Sequence, residues 1–298
     1  MKTKTGFFGV YPMLYAYFEG DGSVDLGAMR RQTEAAVAAG AHGVALLGLA
    51  TEVNKLTPDE RLAMVAEVAT TLKKRIPLSV TIADNSVAGQ IRSAREYVDA
   101  GADWVVLQPP PLRQIDEREL IGFFGRVADS IDVPVGIQNA PKYLGIGLSD
   151  EALVTLHQAH PNISILKVED TAVVVEKLVE RVDDRFDVFV GRGGIELPDC
   201  VRAGAVGVIP GGEVPDRLAK VFRLLTEERK DAEAEAIYRE VLPVLVFLGD
   251  SIEFLVTFGK ELTALRLKLG PVTQRLPVAQ SAFAREIIER YAAMLGDL

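Results

Sequence analysis

Ala39-Gly40-Ala41-His42-Gly43-Val44-Ala45-Leu46-Leu47-Gly48 ends a helical pattern on a glycine and runs directly into an apolar, strand-like stretch. Ala100-Gly101-Ala102 and Ala203-Gly204-Ala205 stand at equivalent joints, each closing a helical pattern ahead of another such stretch. Glycine tolerates the left-handed conformation at a helix C-terminus. Its small neighbours let the helix end pack closely against the base of a sheet. The same joint used three times points to a repeated strand–helix unit.

Working outward from these joints, apolar and β-branched runs recur at 7–18, 43–48, 77–83, 104–109, 134–140, 163–169, 186–191 and 205–210. Helical patterns fill the intervals at about 24–40, 58–74, 86–100, 116–130, 149–159, 171–182, 196–203 and 214–228. Strictly alternating strands and helices imply parallel pairing, because only a crossover helix returns the chain to start a neighbouring parallel strand. The runs are almost continuously apolar, as strands buried on both faces should be. Thr57-Pro58-Asp59-Glu60 carries a capping box with proline at the first helical position, and Ser149-Asp150-Glu151 is a plainer N-cap. Eight such units predict an α/β fold, a parallel (β/α)8 TIM barrel over residues 1–230; a doubly wound sheet with a helical appendage is the alternative. Residues 231–298 contain no strand-like run and read as a C-terminal three-helix extension, at about 231–248, 252–269 and 277–296, packed on the barrel as one structural unit.

Composition narrows the function classes. The 298-residue chain carries a formal net charge of -9 and shows no cluster of Lys and Arg, which argues against nucleic-acid binding. The single cysteine, Cys200, excludes an intramolecular disulfide framework and a cysteine-based zinc site; it reads as a buried small hydrophobe on a helix. Met1-Lys2-Thr3-Lys4-Thr5 is followed by no long apolar segment, and no run approaches the roughly 20 residues that span a bilayer. A cytoplasmic protein with no membrane partner is expected. No metal is predicted: His42, His157 and His160 lie in or near helical segments, away from carboxylates at ligand spacing. Trp104, opening the fourth strand, reads as core.

Barrels of this type place their active sites at the C-terminal ends of the strands. The polar residues there are Thr51 and Glu52, Asp84 and Asn85, Gln138 and Asn139, Lys167 and Glu169, Gly191-Arg192-Gly193-Gly194, and Gly211-Gly212-Glu213. Lys167 stands out because it interrupts the apolar strand Ile163-Ser164-Ile165-Leu166-Lys167-Val168-Glu169. Strand alternation puts Lys167 and Glu169 on one face and Leu166 and Val168 on the other. The aliphatic pair suits the helix-facing side, which leaves the amine and the carboxylate in the barrel. Burial disfavours an ammonium and a nearby carboxylate favours it, so the two effects oppose each other. The residues alone make Lys167 a candidate amine nucleophile; a strand-end lysine paired with Glu169 for structure is the alternative.

These residues resemble the dihydrodipicolinate synthase / N-acetylneuraminate lyase superfamily of Schiff-base pyruvate aldolases, over the whole chain from Gly9-Val10-Tyr11-Pro12 to the C-terminal helices. Ile165-Leu166-Lys167 matches the family's Schiff-base lysine. Residues 48–52 take the place of its Gly-Thr-Thr-Gly-Glu loop, and Asn139-Ala140-Pro141 that of its Tyr-Asn-x-Pro run. The departures are specific. Gln138 occupies the position of the proton-relaying tyrosine, and Leu49 and Ala50 those of the two threonines, leaving Thr51 as the hydroxyl. Pro109-Pro110-Pro111 replaces the aromatic pair that completes a relay across the subunit interface. Tyr143 stands where true synthases have an arginine for the aldehyde's carboxylate. Gln138-Asn139-Ala140-Pro141 and Lys167-Val168-Glu169 are similar to Gln-Asp-Ala-Pro and Lys-Ile-Glu in the sub-group that dehydrates 2-keto-3-deoxy sugar acids.

The resemblance implies a lyase with no cofactor beyond a covalent lysine imine, acting on a small 2-oxo acid. Lys167 would form the imine, Glu169 would move the proton and Gln138 would orient the substrate. Thr51, with Ala50 and nearby N–H groups, would bind the substrate carboxylate. Asn139, Gly191, Gly193 and Ile209 would line the remainder of the site. Glu52 reads as a loop-structuring carboxylate. A homodimer or homotetramer is implied, without an active site shared between subunits. Aldol cleavage or condensation of pyruvate, a phosphate-binding barrel enzyme and a non-catalytic 2-oxo acid sensor are the competing readings.

Overall fold

The computed structural model describes residues 3–111 and 115–298, so Met1 and Lys2 of the stretch read for a leader lie outside it. All eight strands are parallel and alternate with helices. In chain order these are β1 (Gly9–Val10), α1 (Leu26–Ala38), β2 (Val44–Leu46), α2 (Pro58–Leu72), β3 (Leu78–Ile82), α3 (Val87–Asp99), β4 (Trp104–Leu107) and α4 (Glu117–Ala128). There follow β5 (Val135–Asn139), a short α5 (Pro141–Leu144), α6 (Asp150–Ala159), β6 (Ile163–Val168), α7 (Ala172–Val182), β7 (Asp187–Val190), α8 (Leu197–Arg202), β8 (Gly207–Val208) and α9 (Pro215–Arg223). The sheet order β1-β8-β7-β6-β5-β4-β3-β2 leaves β1 and β2 to meet, and they do. Leu14 donates to the Ala45 carbonyl at 2.9 Å, Ala45 to Pro12 at 3.0 Å, and Met13 bridges both Ala45 and Gly211. The barrel is closed.

The first strand is shorter than its apolar run suggests. Pro12 has no N–H to give the ladder, so regular pairing stops at Val10 and resumes as the bridge at Met13. Helix starts follow their sequence signals: Thr57 and Glu60 form the complete capping box of α2, and Ser149 caps α6. The joint glycines Gly40, Gly101 and Gly204 all have positive φ, at 77°, 120° and 99°. The base of the barrel is filled by Tyr11, Trp104 and Phe189, whose rings meet at centroid distances of 5.4–5.6 Å. His42 lies at this same base, against Phe222, and its Nδ1 accepts the Val10 N–H at 3.2 Å. Cys200 is buried on α8, and burial pushes its thiol up to about 12.

Pairing between β5 and β6 changes register once. Val135 pairs with Ile163, but Gly136 pairs with Ile165, and from there Gln138 stands beside Lys167. Had the first register continued, Asn139 would stand beside the lysine. Because side chains alternate, a one-residue slip exchanges which residue faces inward. The irregularity therefore decides that the inward neighbour is glutamine.

Beyond the barrel, α10 (Asp231–Leu248) is followed by α11 (Ile252–Phe254), a π-helical turn at Leu255–Gly259, α12 (Lys260–Arg266) and α13 (Ala282–Leu295). Buried polar groups tie these helices to the strand ends. Lys260 pairs with Glu52, Arg266 donates to the Glu213 carbonyl at 2.5 Å and to Asp216 at 3.0 Å, and the Tyr238 hydroxyl accepts the Glu196 N–H at 2.7 Å. No single described helix is long and apolar enough to cross a membrane.

Candidate active site

Lys167 and Glu169 both project to the C-terminal mouth of the barrel. Their side chains are only 6% and 13% exposed, and Lys167 Nζ lies 3.3 Å from Glu169 Oε1. Glu169 has just left β6, where no ladder constrains it, and its position is held by neighbours instead. Oε2 accepts the Arg192 N–H at 2.8 Å, and Oε1 accepts from Gln138 Nε2 at 3.4 Å. Gln138 Oε1 in turn accepts from Gln108 Nε2 at 2.8 Å. The polar layer thus runs Gln108, Gln138, Glu169, Lys167 across three adjacent strands. These donors fix the Glu169 carboxylate within reach of anything bound on the lysine.

The amine opens into a cavity of about 120 Å³, room for a small acid and too little for a nucleotide cofactor. Leu49, Ala50, Tyr143, Gly193, Ile209 and Glu213 share its wall with Lys167 and Glu169. The backbone N–H groups of Leu49 and Ala50 donate to no described residue. Two such donors on residues that line one cavity are candidates to take a carboxylate.

Residues 6–282 match the Dihydrodipicolinate synthetase family. The chain belongs to this family. Such a lyase from Corynebacterium aurimucosum, a 4-hydroxy-tetrahydrodipicolinate synthase, is 31% identical over 91% of this chain and 88% of its own length. An L-2-keto-3-deoxyarabonate dehydratase from Azospirillum brasilense is 28% identical over 80% of this chain and 78% of its own. Among solved structures, a prophage protein of the dihydrodipicolinic acid synthase family from E. coli, in complex with pyruvate, superimposes with a TM-score of 0.86 at 22% identity, covering 97% and 99% of the two chains. That likeness concerns the fold alone.

Within this dihydrodipicolinate synthetase family member, several residues singled out from sequence sit apart from the cavity. Thr51 is fully buried, and its hydroxyl donates to the Leu14 carbonyl at 2.6 Å, so its proton is already committed. Asn139 turns away from Lys167 and exchanges two hydrogen bonds with the Leu148 backbone, at 2.8 and 3.0 Å, stapling the loop after β5. Gly191 lies against Glu169: a Cβ there would fall 2.5 Å from the carboxyl carbon. Gly193, with φ +65°, and Ile209 do line the cavity. Glu52 pairs with Lys260 and, at 2.7 Å, with Lys55, a structural post below the loop.

Gln108 is absent from the sequence reading, and Arg192 and Glu213 stand in it only as strand-end residues without a role. Gln108 ends β4 just before the prolines, and strand alternation from Trp104 and Val106 could have placed it inside. Arg192 has φ +52°, and this turn is what aims its N–H at Glu169. Glu213 is 1% exposed, and burial raises its carboxyl above the ordinary range. Its sequence signal was a carboxylate immediately after two glycines in a loop at the barrel mouth.

Proposed function

We propose that the protein forms a Schiff base between Lys167 and a 2-oxo acid and removes water from a 2-keto-3-deoxy sugar acid. The observation that carries this reading is the 3.3 Å contact between Lys167 Nζ and Glu169, beside an amide, Gln138, in place of a phenol. The lysine amine attacks the 2-oxo carbon, and loss of water gives an iminium that acidifies the adjacent C3–H. Glu169 takes that proton, and the resulting enamine expels the hydroxyl on the next carbon. An amide exchanges no proton usefully at neutral pH, so Gln138 orients Glu169 and substrate while Gln108 orients Gln138. Leu49 and Ala50 N–H groups hold the carboxylate, without the Thr51 hydroxyl that the sequence places beside them. The resemblance to L-2-keto-3-deoxyarabonate dehydratase supports this choice.

Aldol cleavage starts from the same iminium and is the second reading, favoured by the synthase relatives. A panel of 2-keto-3-deoxy acids, assayed with semicarbazide for a dehydrated oxo product against pyruvate, separates the two. Pyruvate as the main product from every substrate would overturn dehydration. A phosphate-binding barrel is disfavoured, because it leaves the buried Lys167–Glu169 pair without a role.

The purified protein is expected to show negligible condensation of pyruvate with aspartate semialdehyde. Gln138 cannot relay a proton, and Tyr143, half exposed at the cavity, offers no cation for the aldehyde's carboxylate. A kcat in the ordinary enzyme range, roughly 1–10³ s⁻¹, would show these substitutions to be inconsequential. We further propose a homodimer or homotetramer whose subunits do not share an active site, since Pro109-Pro110-Pro111 presents no aromatic relay. Light scattering at micromolar concentration tests this, and a monomer would contradict it.

A further inference from the structure

We propose that Glu213 is the acid that protonates the departing hydroxyl, opposite Glu169, which removes the C3 proton; this rests on the dehydratase reading above. The geometry sets the two carboxyls apart. Glu169 meets donors on both oxygens, from Arg192, Gln138 and Lys167. Glu213 meets one: the Tyr15 hydroxyl donates to Oε2 at 2.8 Å, while Oε1 is buried with no partner among the described residues. Both residues belong to the wall of the cavity that holds Lys167. A buried polar oxygen left unpaired is costly, and a ligand hydroxyl in that cavity is a partner that would satisfy it.

The surroundings are built around this carboxyl. A Cβ on Gly211 would fall 2.1 Å from Glu213 Oε2, and one on Gly259 would fall 2.3 Å from the Tyr15 hydroxyl. Two glycines from separate elements, one of them in the π-helical turn Leu255–Gly259, thus clear the space for the Tyr15–Glu213 pair. Arg266, the cation nearest by contact, gives its guanidinium to the Glu213 main-chain carbonyl and to Asp216, not to the Glu213 carboxyl. Burial then favours the protonated form. Since Tyr15 donates to Oε2, a proton on Glu213 would sit on Oε1. Two carboxyls whose environments diverge in this way divide acid and base duties.

The step balances. The C3–H bond breaks to Glu169 as its electron pair enters the C2–C3 bond of the enamine. That pair then forms the C3–C4 double bond as the C4–O bond breaks, and the leaving oxygen takes the Glu213 proton and departs as water. Hydrolysis of the conjugated iminium frees Lys167, and solvent returns the proton from Glu169 to Glu213.

The test compares two substrates in the wild type and Glu213→Gln: a 2-keto-3-deoxypentonate and its analogue with fluorine in place of the departing hydroxyl. Fluoride leaves without needing a proton. Glutamine keeps the acceptor for Tyr15 and removes only the acid. Water loss is expected to fall by about 10²–10⁴-fold, the usual share of an acid–base group. Fluoride release and borohydride trapping of pyruvate on Lys167 are expected to stay near the wild-type rates. Undiminished water loss would overturn the proposal, and so would equal falls for both substrates, which would make Glu213 structural. A wild type that traps pyruvate but dehydrates no 2-keto-3-deoxy acid would fail the dehydratase reading and carry this proposal down with it. A dehydrating wild type insensitive to Glu213→Gln would fail this proposal alone.

Discussion

Replacing Lys167 by alanine is expected to abolish turnover and leave the barrel folded. Without the amine no iminium forms, and neither Glu169 nor any hydrogen bond can acidify the substrate carbon as a cationic imine does. The fold should tolerate the loss. Lys167 Nζ already faces a cavity, so truncation enlarges an existing space instead of opening a new void in packed core. Glu169 keeps the Arg192 N–H and the Gln138 amide as donors and is not left as an unpartnered buried charge. Mass spectrometry after pyruvate and borohydride should find the adduct on Lys167 in the wild type and none in the variant. An adduct on another lysine, or activity in Lys167→Ala, would remove the nucleophile from this account. Lys260 is the other buried lysine near the barrel mouth, but Glu52 occupies its ammonium.

Glu169→Gln carries the second large effect. The substitution preserves length and one acceptor oxygen while removing the base, so dehydration is expected to fall by about 10²–10⁴-fold. The Lys167 adduct should still accumulate with time and excess 2-oxo acid, because the amine is intact, although its proton transfers slow. Gln138→Tyr in the same protein should not rescue turnover unless the phenol reaches the C3 proton. The decisive measurement is the pair of rates, imine trapping and product formation. If both equal the wild type, Glu169 only positions the lysine. Glu52 could not then take over the proton, since both its oxygens are held by lysines; solvent or Glu213 would have to.

Much of the architecture was legible in the chain because it rests on local rules. The alternation of apolar runs and helical patterns depends on periodicity, and the glycine joints depend on backbone φ; both act within a few residues. The short α5 escaped notice because Pro141-Lys142-Tyr143-Leu144 is only one turn long, with proline at its start the sole signal. The site was less legible. Lys167 and Glu169 were visible since a charged pair in a buried strand breaks the pattern, and alternation puts them on one face. The hydrogen bonds of Thr51 and Asn139 were not legible, because their partners, Leu14 and Leu148, lie on other segments.

By itself, then, the sequence determined the (β/α)8 repeat and the charged pair, Lys167 and Glu169, that breaks the apolar pattern at the end of β6. Each follows from interactions between near neighbours along the chain or from the alternation of one strand. Only the tertiary structure decided which of Gln138 and Asn139 faces the lysine, through a register shift at Val135/Gly136 that no single strand encodes. It alone brought Gln108 to Gln138 and the Arg192 N–H to the Glu169 carboxylate, and set Glu213 against Tyr15 with one oxygen unpaired. Burial and hydrogen-bond satisfaction are properties of the closed barrel, in which residues as far apart in sequence as Tyr15 and Glu213 come within 2.8 Å.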